Sequence, residues 1–227
     1  MLERMLARVP EYVAGLGPGL RPVVRGFTVA GNESAHGLLL DHGFAQDRWS
    51  FLMQVDLPGE ADDSGEVEPD LPDGYVLSTW EEVEPEEMRA AHNLAFGGFH
   101  PGFTLWDEAM WTQFVTSAHA YRPALSLVAR GEDGAIAAYV QVAEHAGVAD
   151  ATGIREAFVA KVGTTPDHRR RGLGTTLLRI AMLRSARAGL RRATLEVEAE
   201  NPSGALGVYE RAGFRTVLEY RHYVLVE

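Results

Sequence analysis

Cysteine is absent from all 227 residues, which excludes a disulfide framework, a thiol nucleophile and any Cys-ligated zinc or iron–sulfur site. Base is scarce too: 21 Lys and Arg stand against 32 Asp and Glu, a formal net charge of −11. That balance argues against nucleic acid as a partner, because affinity there rests on basic residues meeting phosphate. Only one of the 21 bases is a lysine, Lys161. No apolar run approaches the length of a transmembrane span. The opening MLERMLARVPEYVAGLG carries charges where a signal peptide needs an apolar stretch. The expectation is a cytoplasmic chain with no membrane contact. What is present is ordinary for a folded protein, 46% hydrophobic and 23% charged, at a length that suits one large domain or one domain plus a fragment.

The charge is unevenly placed. From Asp56 to Glu87 there are thirteen acids and no Lys or Arg, which leaves 19 acids against 21 bases elsewhere. From Arg155 to Arg192 there are ten bases and two acids. An acidic stretch therefore masks a basic region of the kind that suits a small phosphorylated ligand. Residues 58–73, PGEADDSGEVEPDLPD, hold almost nothing to bury and read as an acidic linker.

After the linker, strands and helices alternate. Strands are expected at 75–80, 125–130, 135–144, 157–164, 193–199, 215–219 and 222–226. Helices are expected at 84–96, 107–118, 172–189 and 202–212. Pro85 suits a first helical turn, Asp107 an N-cap, and Gly131 to Gly134 a hairpin. Strict alternation in 193–199 puts Glu196 and Glu198 on one face and Leu195 and Val197 on the other. A pattern also recurs. NPSGALGVYERAGF begins at Asn201, and NESAHGLLLDHGF begins at Asn32. Each runs Asn, a Ser two residues on, a short helix, then Gly-Phe before strands. The shared order points to a repeat.

The sharpest local signal is TPDHRRRGLGTT, residues 165 to 176, between a strand and a long helix. Gly172 and Gly174 let backbone approach a ligand. The helix start adds unsatisfied N–H groups and the positive end of its dipole. Arg169, Arg170 and Arg171 add charge, and Leu173 and Thr175 complete the turn. This is an anion site suited to a pyrophosphate. It lacks the Gly-Lys-Ser/Thr of a Walker loop and the full dinucleotide fingerprint.

The pattern of Arg169, Gly172 and Gly174 resembles the acetyl-CoA pyrophosphate signature of the GNAT superfamily of N-acetyltransferases. The similarity continues through LEVEAEN, 195–201, and VYERAGF, 208–214. The doubled Asn-to-Gly-Phe pattern is similar to tandem-GNAT proteins of actinomycetes, of the mycothiol-synthase sort. The excess of Arg over Lys fits a GC-rich genome of that kind. The resemblance implies an α/β (α+β) GNAT fold. Its mixed central sheet would be splayed between the fourth and fifth strands and flanked by helices, with a partial N-terminal GNAT repeat. It divides the chain into a degenerate, catalytically dead repeat (1–57), the linker (58–73) and a complete catalytic domain (74–227). The half-repeat lacks Arg-x-x-Gly-x-Gly and has Leu39 or Leu40 where the tyrosine stands. Either the natural chain starts upstream of Met1, or residues 1–57 pack in this fold or in a homodimer.

By the same resemblance, acetyl-CoA is the co-substrate and an amine the acceptor, with no metal. The pantetheine arm would lie along Val162, Gly163 and Thr164, with Asn201 bonding it or fixing its turn. Tyr209 stands at the general-acid position. A lysine-like amine, with a pKa of about 10.4, must lose a proton before attack. Glu196 is the first candidate base, Glu198 the second and Glu156 a weaker third. Phe99, His100, Phe103 and Trp106 are expected to line the acceptor pocket, with Phe96 and Trp111 more readily core. The alternative is an acyl-CoA-binding module that has lost catalysis; the intact Asn201 and Tyr209 favour the enzyme.

Overall fold

Residues 2–14, 23–59, 67–97, 103–200 and 204–225 are described in a computed structural model of the chain. In chain order the elements begin with α1 (Leu2–Leu6), α2 (Val9–Ala14), β1 (Arg25–Val29), α3 (Glu33–Asp41) and β2 (Phe44–Asp56). Next come β3 (Val76–Thr79), α4 (Pro85–Phe96), α5 (Glu108–Trp111), β4 (Leu127–Arg130), β5 (Ile136–Ala143) and α6 (Ala146–Thr152). The chain closes with β6 (Glu156–Thr164), α7 (Leu173–Arg187), β7 (Arg192–Glu198), α8 (Ala205–Arg211) and β8 (Arg215–Leu225). Among the described residues no helix is long and apolar enough to cross a membrane.

The chain folds as two compact units, Ser50–Glu219 and Met1–Trp49 with Tyr220–Glu227. In the larger unit the strands run β2-β7-β6-β5-β4-β3. Every pair is antiparallel except β6 with β7, so the sheet is mixed. Its middle is buried on both faces, as the uninterrupted burial of β5 requires. The pleat then sorts side chains between two cores. Leu127, Ala129, Val140 and Val142 face α7 with Leu177, Leu178 and Ala181. Val128 and Tyr139 face the other way, with Met88, Ala91 and Ala95 of α4 and with Trp80 and Trp111. In the smaller unit β1 pairs antiparallel with the end of β8, from Arg25↔Val224 to Val29↔Tyr220. There Leu39, Phe44 and Tyr223 form a small core.

Local chemistry explains most element ends. Pro85 is at the first turn of α4, and Asp107 accepts from Met110 N at 2.8 Å to cap α5. Gly131 to Gly134 turns β4 into β5. Three expectations need correcting. The helix expected to run to 118 stays α-helical only to Trp111 and continues as a wide turn over Thr112–Thr116. The two last strands are one, β8, because nothing breaks the extended backbone near Tyr220. Helix α6 was not foreseen: it buries no residue, so it carries no apolar stripe to read.

The acidic stretch is tied to the bases it offsets. Glu68 accepts from Arg184 at 3.0 Å and Arg187 at 2.8 Å, Glu87 pairs with Arg130, and Asp56 accepts from Arg215 at 3.2 Å. Leu71 packs on the core beneath. Glu144, at the end of β5, accepts from Arg155 Nε at 2.7 Å and Arg122 Nε at 3.1 Å. The Arg155 hydrogen bond, then that of Arg122, holds its carboxyl below the usual range against the opposing effect of burial. This clamp sits just before β6, ahead of the Val159 to Thr164 stretch that lines the cleft.

Candidate active site

Strands β6 and β7 run together for only three residue pairs, Glu156↔Arg192, Ala157↔Ala193 and Phe158↔Thr194. They then part. Strand β6 follows β5 to Thr164, and β7 follows β2 to Glu198. The wedge between them opens into a cleft of about 1050 Å³. Along Val159 to Gly163 the edge of β6 that faces β7 has no strand partner among the described residues, so its backbone can pair with an extended ligand. A bulge adds to this irregularity: Val142 pairs with Val159 and Gln141 with Lys161, leaving Ala160 extra.

The glycine-rich turn lines this cleft. Gly172 takes φ +81° and Arg170 φ +61°, so two residues of the turn are left-handed. Thr176 N bonds Gly172 O at 3.0 Å, which begins α7. The N–H groups of Leu173, Gly174 and Thr175 lack an i−4 carbonyl in the helix. Those of Arg170, Arg171 and Gly172 reach no carbonyl of the described residues. A Cβ at Gly172 would meet nothing within 4 Å, so the space above the turn is open. The arginines are not equivalent. Arg169 donates to the carbonyls of Ala95 at 2.9 Å and Thr164 at 3.3 Å, bracing the turn against α4 and β6. Arg171 donates to Tyr75 Oη and Asp167 O, both at 3.0 Å.

Tyr209 comes from α8. Its ring is only 9% exposed and sits edge-on to Phe214 at 6.2 Å. Among the described residues nothing hydrogen-bonds its hydroxyl, and burial pushes its pKa up to about 12, so it stays protonated at neutral pH. Glu196 and Glu198 line the same cleft from β7. Glu196 is exposed and accepts from Ser50 Oγ at 2.7 Å. Glu156 lies outside the cleft lining: it accepts from Thr194 Oγ1 at 2.6 Å and is 3.8 Å from Arg192. That removes the reason for choosing it as a base.

Part of the wall is aromatic. Phe96, Phe103 and Trp106 form it, while Trp111 is buried behind them. Phe96 packs against the core that holds Trp111 and also forms part of the cleft wall. Two residues here were not singled out from sequence, His92 and Lys161. His92 is 3% exposed on the buried face of α4, and its Nδ1 is 2.6 Å from Tyr139 Oη. Burial, then the nearby Lys161 charge, pulls its pKa down to about 4. Lys161 puts Nζ 5.1 Å from the Trp106 ring centroid, and burial lowers its pKa. Nothing in the i, i+4 pattern distinguishes His92 from a core residue; the singularity of Lys161 was the one available signal.

The cleft therefore brings together Val162 to Thr164, the turn from Arg169 to Thr175, Glu196, Glu198, Tyr209, Phe103 and Trp106. Phe99, His100 and Asn201 lie outside the described residues. Among those described, no group of three or more His, Asp or Glu is placed to hold a metal.

His92 has a measurable consequence. The unfolded chain binds a proton near pH 6.5 and the folded one only near pH 4, so stability is full above 6.5 and is lost as pH falls through about 4. The loss is expected to be about 3 kcal/mol across that window. Urea unfolding at pH 7.0, 6.0 and 5.0 should show it, and His92→Phe should flatten the slope above pH 5. Glu144 adds its own loss only below the carboxylate range.

A mixed sheet whose parallel pair parts over a glycine-rich helix start is an acyltransferase fold. The chain belongs to the acetyltransferase (GNAT) family, whose model matches residues 80–214. It is 31% identical over 169 residues to the mycothiol acetyltransferase of Clavibacter michiganensis subsp. michiganensis, covering 74% of this chain and 52% of that one. The chain spans about half the length of the curated relatives it matches. A GCN5-related N-acetyltransferase from Sphaerobacter thermophilus superposes with a TM-score of 0.77 at 24% identity, over 98% of this chain and 65% of that one. A tandem GNAT protein from the clavulanic acid biosynthesis pathway gives 0.62 at 18%, over 97% and 66%. At these identities the two structures speak to fold alone.

Proposed function

We propose that this chain transfers an acetyl group from acetyl-CoA to a primary amine of a small molecule or peptide, by direct attack with no covalent enzyme intermediate. The observation that carries the reading is the single cleft that joins the N–H-rich turn, the unpartnered edge of β6 and Tyr209. Pyrophosphate oxygens would be received by the N–H groups of Arg170 to Thr175. The amide-bearing arm would pair with Val162 to Thr164 as an added strand, and one N–H there would polarise the thioester carbonyl. Glu196 or Glu198 would take the amine's proton, through water where needed. Tyr209 holds a proton at Oη for the departing sulfur.

Thiol release from acetyl-CoA across a panel of amines, peptides and aminoglycosides tests this. Turnover of at least one acceptor is expected. Acetyl-CoA binding by calorimetry with no release for any of them would identify an acyl-CoA-binding module instead.

We further infer that residues 1–57 are a degenerate repeat of the catalytic domain. In support, Asn32 caps α3 through Ala35 N at 3.1 Å, and Gly43 turns at φ +82° into buried Phe44. Gly213 does the same at φ +93° into buried Phe214. Leu39 stands four residues before Gly43, as Tyr209 stands before Gly213, and both are buried. A leucine there has no proton to give.

A further inference from the structure

Among the described residues, two polar groups beside the aromatic wall of the cleft lack the partners that burial demands. Lys161 is half-buried, yet among the described residues no carboxylate pairs with it. Glu196 and Glu198 line the same cleft from β7, and so do Arg169, Arg170 and Arg171 of the turn, Arg169 donating at 2.9 Å to Ala95 O, beside Phe96. Gln141 stands across the ladder from Lys161 with an unbonded Oε1, but a neutral amide cannot balance a charge. The second group is His92 Nε2, buried with no hydrogen-bond partner among the described residues. Its tautomer follows from its neighbour. Tyr139 is fully buried and its hydroxyl keeps its proton, because burial raises its pKa well above the ordinary value. The only acceptor it meets among the described residues is His92 Nδ1, so Tyr139 donates to Nδ1 and the neutral ring carries its own proton on Nε2. Register puts the two groups on one side of the sheet: Lys161 is opposite Gln141 and Gly163 opposite Tyr139. Trp106 touches both, 4.8 Å from the His92 ring centroid and 5.1 Å from Lys161 Nζ.

We propose that Lys161 Nζ and His92 Nε2–H form a carboxylate site, and that the acceptor is an amine bearing a carboxylate and an apolar or aromatic body, as an amino acid does. This rests on the acetyl-transfer reading for the word acceptor; the site itself does not. A half-buried cation without a counter-charge and an unpaired buried donor both cost stability in the free protein, and one carboxylate satisfies both. Phe96, Phe103 and Trp106 supply an apolar wall for the rest of the molecule. A single cation beside a neutral imidazole suits one negative charge better than a phosphate dianion, which the N–H-rich turn suits better.

The test is a binding titration that needs no turnover. Tryptophan fluorescence is followed as 3-phenylpropionate, or its uncharged twin 3-phenylpropanol, is added to the full chain. The acid is expected to bind at least tenfold tighter than the alcohol. Lys161→Met should bring the two within about twofold of each other, with thermal melting to verify folding. Should that variant unfold, Lys161→Gln takes its place, and the wild-type comparison decides alone if both fail. Equal binding of acid and alcohol, binding of neither, or a preference that survives loss of Lys161 would overturn the proposal. An amine panel without thiol release would overturn acetyl transfer while leaving this result standing, so the two failures are distinguishable.

Discussion

Tyr209→Phe is expected to lower kcat by about a hundredfold or more while leaving the KM for acetyl-CoA nearly unchanged. The ring fills the same volume in both, so its packing against Phe214 survives and only the hydroxyl is lost. That hydroxyl has no structural hydrogen bond among the described residues to explain it, and it lines the cleft. Its raised pKa of about 12 sets what it can do. A thiol near 8.5 is the stronger acid, so complete proton transfer from the phenol would run uphill by about three to four pKa units. A hydrogen bond donated to the sulfur as charge builds is favourable, and the expected loss measures that stabilisation. The same raised value constrains the pH profile: an alkaline fall in rate centred at pH 8 or 9 must come from another group. Steady-state kinetics on purified variants decides the matter, and equal turnover would remove Tyr209 from the mechanism.

Gly163→Ala is expected to destabilise the fold by about 3 kcal/mol, at the upper end of overpacking penalties. For a protein of this size that corresponds to a fall in Tm of roughly 6–12 °C. From sequence, this glycine suggests room for a ligand beside the strand. The structure gives the room to Tyr139: a Cβ at Gly163 would come within 2.4 Å of two of its ring carbons. The ring cannot withdraw easily. It is fully buried, its hydroxyl bonds His92 at 2.6 Å, and Trp80 meets it edge-on at 5.7 Å. Thermal melts of Gly163→Ala, Tyr139→Ala and the double variant give a cycle. The alanine should cost far less once the Tyr139 ring is gone. A penalty that persists without the ring would mean that Gly163 matters for its backbone alone.

What was legible in the sequence was local or periodic. The helix start at Gly172 could be read because left-handed glycines, helix N-termini and arginine density all act within a few residues. The alternation of β7 assigned Glu196 and Glu198 to one face because a strand has a period of two. Asp107 and Pro85 marked helix starts by satisfying or sparing N–H groups of their own turn. Where local signals were silent the expectations failed: α6 buries nothing, and the joined β8 takes its continuity from its neighbours. Phe96, expected in the core, also reached the cleft because the wall is defined by what lies across from it.

By itself the sequence determined the strand–turn–helix that suits a pyrophosphate, the family, and the repeated Asn-to-Gly-Phe pattern. All three are written in residues close together along the chain. The tertiary structure alone decided the partners of groups far apart in it. It set Tyr139 over Gly163 and His92 under Tyr139. It left Lys161 half-buried against Trp106 with no described carboxylate beside it. Those contacts join residues up to 55 positions apart, Lys161 and Trp106, and no period or spacing encodes them. They arise because β6 lies against β5 on one side and leaves β7 on the other, and that parting turns a buried sheet into a cleft.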